Sequence, residues 1–105
     1  MIRKSFMIQA LPGRLAEYER RHRAIWPEMK QLLSEHGVHR FSIFAREPAG
    51  QLFGYLELED ETRYEALAQH PVCQRWWKYM TEVLVTAPGS EKGTEELLRE
   101  VFYME

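Results

Sequence analysis

The sequence predicts an α+β domain in which four strands and two helical stretches alternate as β-α-β-β-α-β. Three observations carry this. Short segments alternate apolar and polar residues near both ends and in the middle of the chain. Two longer stretches repeat apolar residues at spacings of three and four. Turn residues separate them: Leu11-Pro12-Gly13, Gly37, Glu47-Pro48-Ala49-Gly50, and a loop over 87–93 that contains proline and glycine.

Each element follows from its own residues. Residues 2–10 read as a strand, with Phe6 and Ile8 on one face and Arg3, Ser5 and Gln9 on the other. A helix begins near Arg14, and Leu15, Tyr18, His22, Trp26, Met29 and Leu33 share one of its faces. Pro27 interrupts it. Its ring clashes with the carbonyl of Arg23 and it offers no N–H, so the helix must kink or restart there. Gly37 is a natural C-cap. Residues 38–46 and 51–59 read as a hairpin across the loop Glu47-Pro48-Ala49-Gly50. Phe41 and Ile43 point one way on the first arm. Leu52, Leu56 and Leu58 face opposite to Phe53 and Tyr55 on the second. Asp60 is an N-cap for a helix through Ala68, His70-Pro71 restarts it, and a second piece runs to about Leu84. Residues 98–104, with Val101, Phe102 and Tyr103, read as the last strand.

This order is the ferredoxin-like arrangement, expected to form one domain over residues 1–105. A four-stranded sheet with helices on one face leaves the other bare. Large residues on that face imply burial against a second copy. A chain of 105 residues buries roughly 60–70% of its unfolded surface. Core and site must therefore share residues, or a partner must cover the remainder.

Composition removes several functions. Net charge is −2 with no basic stripe, which argues against nucleic acid. No apolar run approaches the ~20 residues of a membrane span. The opening Met1-Ile2-Arg3-Lys4-Ser5-Phe6-Met7-Ile8-Gln9 is too short and polar for a signal peptide. Cys73 stands alone and forms no internal disulfide, which fits the cytoplasm.

Candidate chemistry centres on one histidine and two aromatic-rich segments. Tyr18 and His22 are four apart and stack along the inward face of the first helix. Burial without a positive partner favours neutral imidazole, which still exchanges protons near pH 7. A satisfied core histidine has the same spacing. Trp76 and Trp77 point about 100° apart on a helix, so they cannot both enter one core, although both can edge one pocket mouth. One core tryptophan and one interface tryptophan would give the same pattern. Indole faces stack on the C–H side of a pyranose, and phenol and indole N–H groups bond its hydroxyls. Trp26, just before Pro27, suits a staple of the helix break. His36 and His39 straddle Gly37 and imply no shared metal geometry, and no cluster has metal-ligand spacing. Glu57, Glu59, Asp60 and Glu61 form a solvated strand end and cap. Cys73 has no activating neighbour and reads as a small core residue.

At these residues the chain resembles the L-rhamnose mutarotase family over nearly its whole length. The resemblance is carried by Met1-Ile2-Arg3-Lys4, Glu17-Tyr18, Arg20-Arg21-His22, Ile25-Trp26-Pro27-Glu28, His36-Gly37 with His39, and Val101-Phe102-Tyr103. Its most specific stretch is Val72-Cys73-Gln74-Arg75-Trp76-Trp77-Lys78-Tyr79-Met80-Thr81. The resemblance implies a ferredoxin-like dimeric α/β barrel, a homodimer joined sheet to sheet. It implies interconversion of the α and β anomers of L-rhamnose without cofactor or metal. The family's proton donor falls on His22, and its substrate contacts fall on Tyr18, Trp76 and Trp77. A further contact, usually tyrosine, falls on Phe41, which keeps the ring but loses the hydroxyl. That loss corresponds to ~0.5–1.5 kcal/mol of substrate affinity.

Mutarotation needs only proton movement. On this reading His22 donates to the ring oxygen and recovers the proton on closure, with Tyr18 or a water as base. Donation first requires a protonated ring, in tension with its burial. Two other readings share the fold: a cofactor-free or haem-using monooxygenase, and a sugar-binding module without catalysis.

Overall fold

The computed structural model describes residues 1–105. Its strands are β1 (Ile2–Gln9), β2 (Val38–Arg46), β3 (Gln51–Leu58) and β4 (Glu95–Leu98). Its helices are α1 (Leu15–Arg23), α2 (Pro27–Glu35), α3 (Glu61–Glu65) and α4 (Pro71–Met80). The strands form one antiparallel sheet in the order β2-β3-β1-β4. This is the ferredoxin-like order predicted from the sequence. No helix is long and apolar enough to cross a membrane.

Alternation along the strands decides which side carries helices. In β3, Leu52, Gly54, Leu56 and Leu58 are buried, while Phe53 and Tyr55 lie on the other face. Opposite residues of an antiparallel pair share a face. The pairs Phe6–Gly54, Ile8–Leu52 and Ile43–Gly54 therefore put Phe6, Ile8 and Ile43 on the helix side. The core gathers these residues with Met29 and Leu32 of α2 and Cys73, Trp76 and Met80 of α4. The helix-free face presents Phe44, two-thirds exposed.

Pro27 restarts the first helix, as expected. It is the first residue of α2, where its missing N–H costs no helical bond. Residues 24–26 separate the two helices. Gly37 follows α2 at φ +75°, a backbone that L side chains rarely adopt. Asp60 caps α3 by accepting from the Arg63 N–H at 3.0 Å, and the His70 ring accepts from the Val72 N–H at the start of α4.

Two boundaries differ from the sequence reading. The last helix ends at Met80, not near Leu84. Beyond it the backbone is spent on extending the sheet. Leu11 N–H donates to Val83 O, Val85 N–H donates to Gln9 O, and Leu84 bridges Ala10. The last strand is Glu95–Leu98, not 98–104. Its register sets Ser5 opposite Leu98, so continued pairing would put Val101 opposite Ile2 and carry Tyr103 and Met104 past the end of β1. Beyond Val101 the apolar tail has no strand left to join. It lies exposed, with Arg3 paired to Glu100 at 2.7 Å and set 3.4 Å from the Tyr103 ring centre.

Candidate active site

A cavity of about 410 Å³ lies between the sheet and the helices. It falls within the usual range for small-molecule sites. Its walls come from β1 (Phe6, Ile8), α1 (Tyr18, His22), β2 (Phe41, Ile43), α4 (Trp76, Trp77, Met80) and the segment leading into β4 (Lys92, Gly93, Glu95), among others. All five residues singled out from the sequence, Tyr18, His22, Phe41, Trp76 and Trp77, line this one space.

His22 sits in the last turn of α1. One helical turn earlier, the Tyr18 ring stacks on it, with centres 4.3 Å apart and planes 25° from parallel. Trp76 meets the imidazole edge-on at 5.4 Å. Burial lowers the His22 pKa from its ordinary value, against the smaller opposite pull of the Tyr18 carbonyl. The neutral ring therefore dominates at pH 7. Its Nδ1 lies 3.3 Å from Tyr18 O. A carbonyl only accepts, so the ring hydrogen belongs on Nδ1 and Nε2 keeps a free lone pair. Tyr18 is almost fully buried, and this pushes its phenol pKa upward. The phenol therefore keeps its proton at neutral pH and is not a phenolate base.

Aromatic packing fixes Trp76. Trp26 abuts it edge-on at 5.1 Å and stacks on Tyr79 at 5.5 Å. Arg21 covers the far side of Tyr79 at 4.0 Å. Arg21 is itself held by Glu17 at 2.7 Å, Glu82 at 2.9 Å and Tyr79 O at 2.7 Å. The chain break at 24–26 thus turns Trp26 into a brace behind the cavity wall, packed on α4, where the sequence suggested a staple of the helix break itself. Trp77 is half-buried at the rim, with the Lys92 ammonium 4.5 Å from its ring centre.

Phe41 reaches the helix side through a bulge. The β2–β3 register shifts between His39 and Ser42, and Arg40 takes φ +46°. Phe41 then meets Phe6 edge-on at 6.1 Å. Cys73 is buried against the same space, and burial pushes its thiol up to about 11. His36 bonds to Leu32 O, whereas His39 pairs with Glu59, so the two histidines serve separate structural roles.

The family profile described as L-rhamnose mutarotase matches residues 3–104. The chain belongs to the L-rhamnose mutarotase family. A relative named L-rhamnose mutarotase from Opitutus terrae is 50% identical over 105 residues, covering 100% of both chains. The crystal structure of L-rhamnose mutarotase FA22100 from Formosa agariphila superposes with a TM-score of 0.90 at 32% identity, again over 100% of both chains. A putative antibiotic biosynthesis monooxygenase from Nitrosomonas europaea covers 97% of this chain and is itself fully covered, with a TM-score of 0.64 at 12% identity. That likeness shows the fold alone.

Set within the L-rhamnose mutarotase family, the cavity holds several lining residues that the sequence reading passed over. Lys30, Tyr64, Lys92 and Glu95 all line it. Tyr64 lies in a short helix without clear periodicity. Burial, reinforced by the negative charge of Glu95, pushes its phenol up to about 12. Lys92 and Glu95 come from a stretch with no repeating pattern, so only the folded chain places them.

Proposed function

We propose that this protein is an isomerase that interconverts the α and β anomers of L-rhamnose through a transient open chain. The observation that carries the reading is the setting of His22: Nδ1 held by a backbone carbonyl, the ring clasped by Tyr18 and Trp76, and the residue on the wall of a sugar-sized cavity. Family membership supplies the substrate class.

The proton movements begin with His22 as acceptor, since the neutral ring offers a lone pair at Nε2. Nε2 takes the proton of the anomeric hydroxyl as the C1–O5 bond breaks, and the bonding pair leaves on O5. The imidazolium then gives that proton to O5. The product is the free aldehyde with a 5-hydroxyl. A half-turn about C1–C2 presents the other carbonyl face, and the same steps run backward to close the ring. O1 and O5 share C1, so one imidazole can reach both. The reaction is proton transfer alone and needs no metal or cofactor. General acid–base catalysis of this kind contributes ~10²–10⁴-fold.

Trp76 and Trp77 hold the ring and its 6-methyl group. Tyr18 donates to a hydroxyl, and Phe41 supplies a ring face without a polar bond. The protein works as a cytoplasmic homodimer, with the two sheets packed through the faces that carry Phe44. Burying that exposed ring and the apolar C-terminal tail favours association.

Saturation-transfer NMR between the α and β anomeric protons of L-rhamnose tests the proposal. Wild type is expected to speed exchange, and His22→Ala to lose ~10²–10⁴-fold of that rate while staying folded. A folded wild type that leaves exchange at the solvent rate would end the assignment.

A further inference from the structure

The cavity wall is mostly apolar, with 14 hydrophobic residues among 19. A deoxyhexose still carries four hydroxyl groups. His22 engages the reacting oxygens, and Phe41 offers no polar atom. The remaining side chains with full charges are Lys30, Lys92 and Glu95. Two of these come from one short segment.

That segment is firmly anchored. Thr94 N–H donates to Val85 O at 2.8 Å, and Val85 N–H donates to Gln9 O at 2.8 Å. Glu95 pairs with Ile8, itself a cavity residue, which turns the Glu95 side chain toward the helix side of the sheet. Gly93 lets the segment close on the core: a Cβ there would stand 2.7 Å from Leu84 Cδ1 and 3.2 Å from its Cβ. Lys92 is half-buried, its ammonium above the Trp77 ring. Neither side chain is spent on an ion pair. The protein's ion pairs engage Arg3, Lys4, Arg20, Arg21, Arg23, His39, Arg40 and Arg63 with other carboxylates. Two opposite charges thus stand unpaired on the wall of an aromatic cavity, one a donor and the other an acceptor.

We infer that Lys92 and Glu95 are substrate-binding residues that select the sugar by bonding its non-reacting hydroxyls, the ammonium donating and the carboxylate accepting. This rests on the proposed anomer exchange of a 6-deoxy sugar. It assigns the segment before β4 a specificity role alongside the aromatic platform of Trp76 and Trp77.

The test measures anomer exchange against L-rhamnose concentration for wild type, Lys92→Met, Lys92→Arg and Glu95→Ala, with Glu91→Gln as a control outside the cavity. Lost hydrogen bonds to charged groups predict that KM rises about tenfold in Lys92→Met and Glu95→Ala, with kcat held within about twofold. Lys92→Arg should recover part of the loss, and the control should match wild type. L-Rhamnose analogues lacking one hydroxyl at a time add a second readout. The analogue without the Lys92 partner should bind wild type and Lys92→Met equally well. Unchanged KM in both variants of an active wild type would overturn this inference and leave the mutarotase reading standing. A fall in kcat at constant KM would overturn it as well. A folded wild type without exchange would remove the reading itself.

Discussion

Replacing Gly54 by alanine probes the packing that shapes the cavity floor. Gly54 lies on β3 directly opposite Phe6 of β1, and the Phe6 ring lies over it. A Cβ at this position would stand 2.1 Å from Phe6 Cζ and 2.5 and 2.6 Å from the two Cε atoms. Ordinary carbon contacts need about 3.5–4.0 Å. The ring must therefore swing by more than about 1 Å, out of its packed position and toward the cavity it lines. Phe41 stands edge-on at 6.1 Å, and Phe6 is only 8% exposed. Overpacking of this kind costs about 1–3 kcal/mol. Alanine recovers about 0.5–1 kcal/mol, because glycine weakens a strand interior. The net expectation is a loss of up to about 2.5 kcal/mol, and of about 1 kcal/mol at the middle of both ranges. For a chain of this size a loss between these values lowers Tm by about 5–15 °C. Thermal unfolding followed by circular dichroism, at one fixed protein concentration, reads it directly. Phe6→Leu in the Gly54→Ala background should restore part of the loss, a coupling of at least about 0.5 kcal/mol between touching residues. The displaced ring also enters the cavity, so substrate KM should rise. A Gly54→Ala protein as stable as wild type would refute the account of Phe6 packed over a bare backbone.

Four further outcomes follow from the same structure. His22 has a lowered pKa in the folded chain, so the unfolded chain binds its proton first. Stability should therefore fall as pH drops below about 6.5, and His22→Gln should flatten that slope in urea titrations at pH 7 and 5.5. Exchange activity of the native protein should decline only at still lower pH, as the lowered folded-state pKa is crossed and the Nε2 lone pair is lost; a rate that climbs toward low pH would instead support a protonated starting ring. Gly93→Ala should destabilise by about 1–3 kcal/mol through contact with Leu84, measured by chemical denaturation. Cys73, buried and with its thiol raised to about 11, should resist iodoacetamide at pH 8 in the native protein and react once unfolded; rapid native labelling would contradict that burial.

Much of this architecture is legible in the chain because the signals are local. The period-two pattern of Phe6 and Ile8, the break at Pro27 and the turn at Gly50 each depend on a few neighbouring residues. The Tyr18–His22 stack follows from helical spacing alone. The family resemblance then gathers Phe41, Trp76 and Trp77 with them. Other features depend on distant contacts. The apolar run over 101–104 looks like a strand, but the register of β4 on β1 sets Val101 opposite Ile2, the first residue of β1, and carries the rest past its end. Trp76 and Trp77 diverge on their helix yet share a cavity, because the segment carrying Lys92 closes around the outer one. The tautomer of His22, and with it the order of proton transfers, depends on which ring nitrogen meets the Tyr18 carbonyl. Composition and spacing carry no trace of that choice.

The partner that orients His22 has a consequence for inheritance. In many sites a histidine is aimed by a carboxylate, and a single codon change deletes the aiming group. Here the aiming atom is a peptide oxygen. Every amino acid at position 18 supplies that oxygen, so no substitution there can remove it. Only a change in the path of α1 can. A new side chain at position 18 would change the stacking on the imidazole and the core around it, yet the carbonyl that holds Nδ1 would persist.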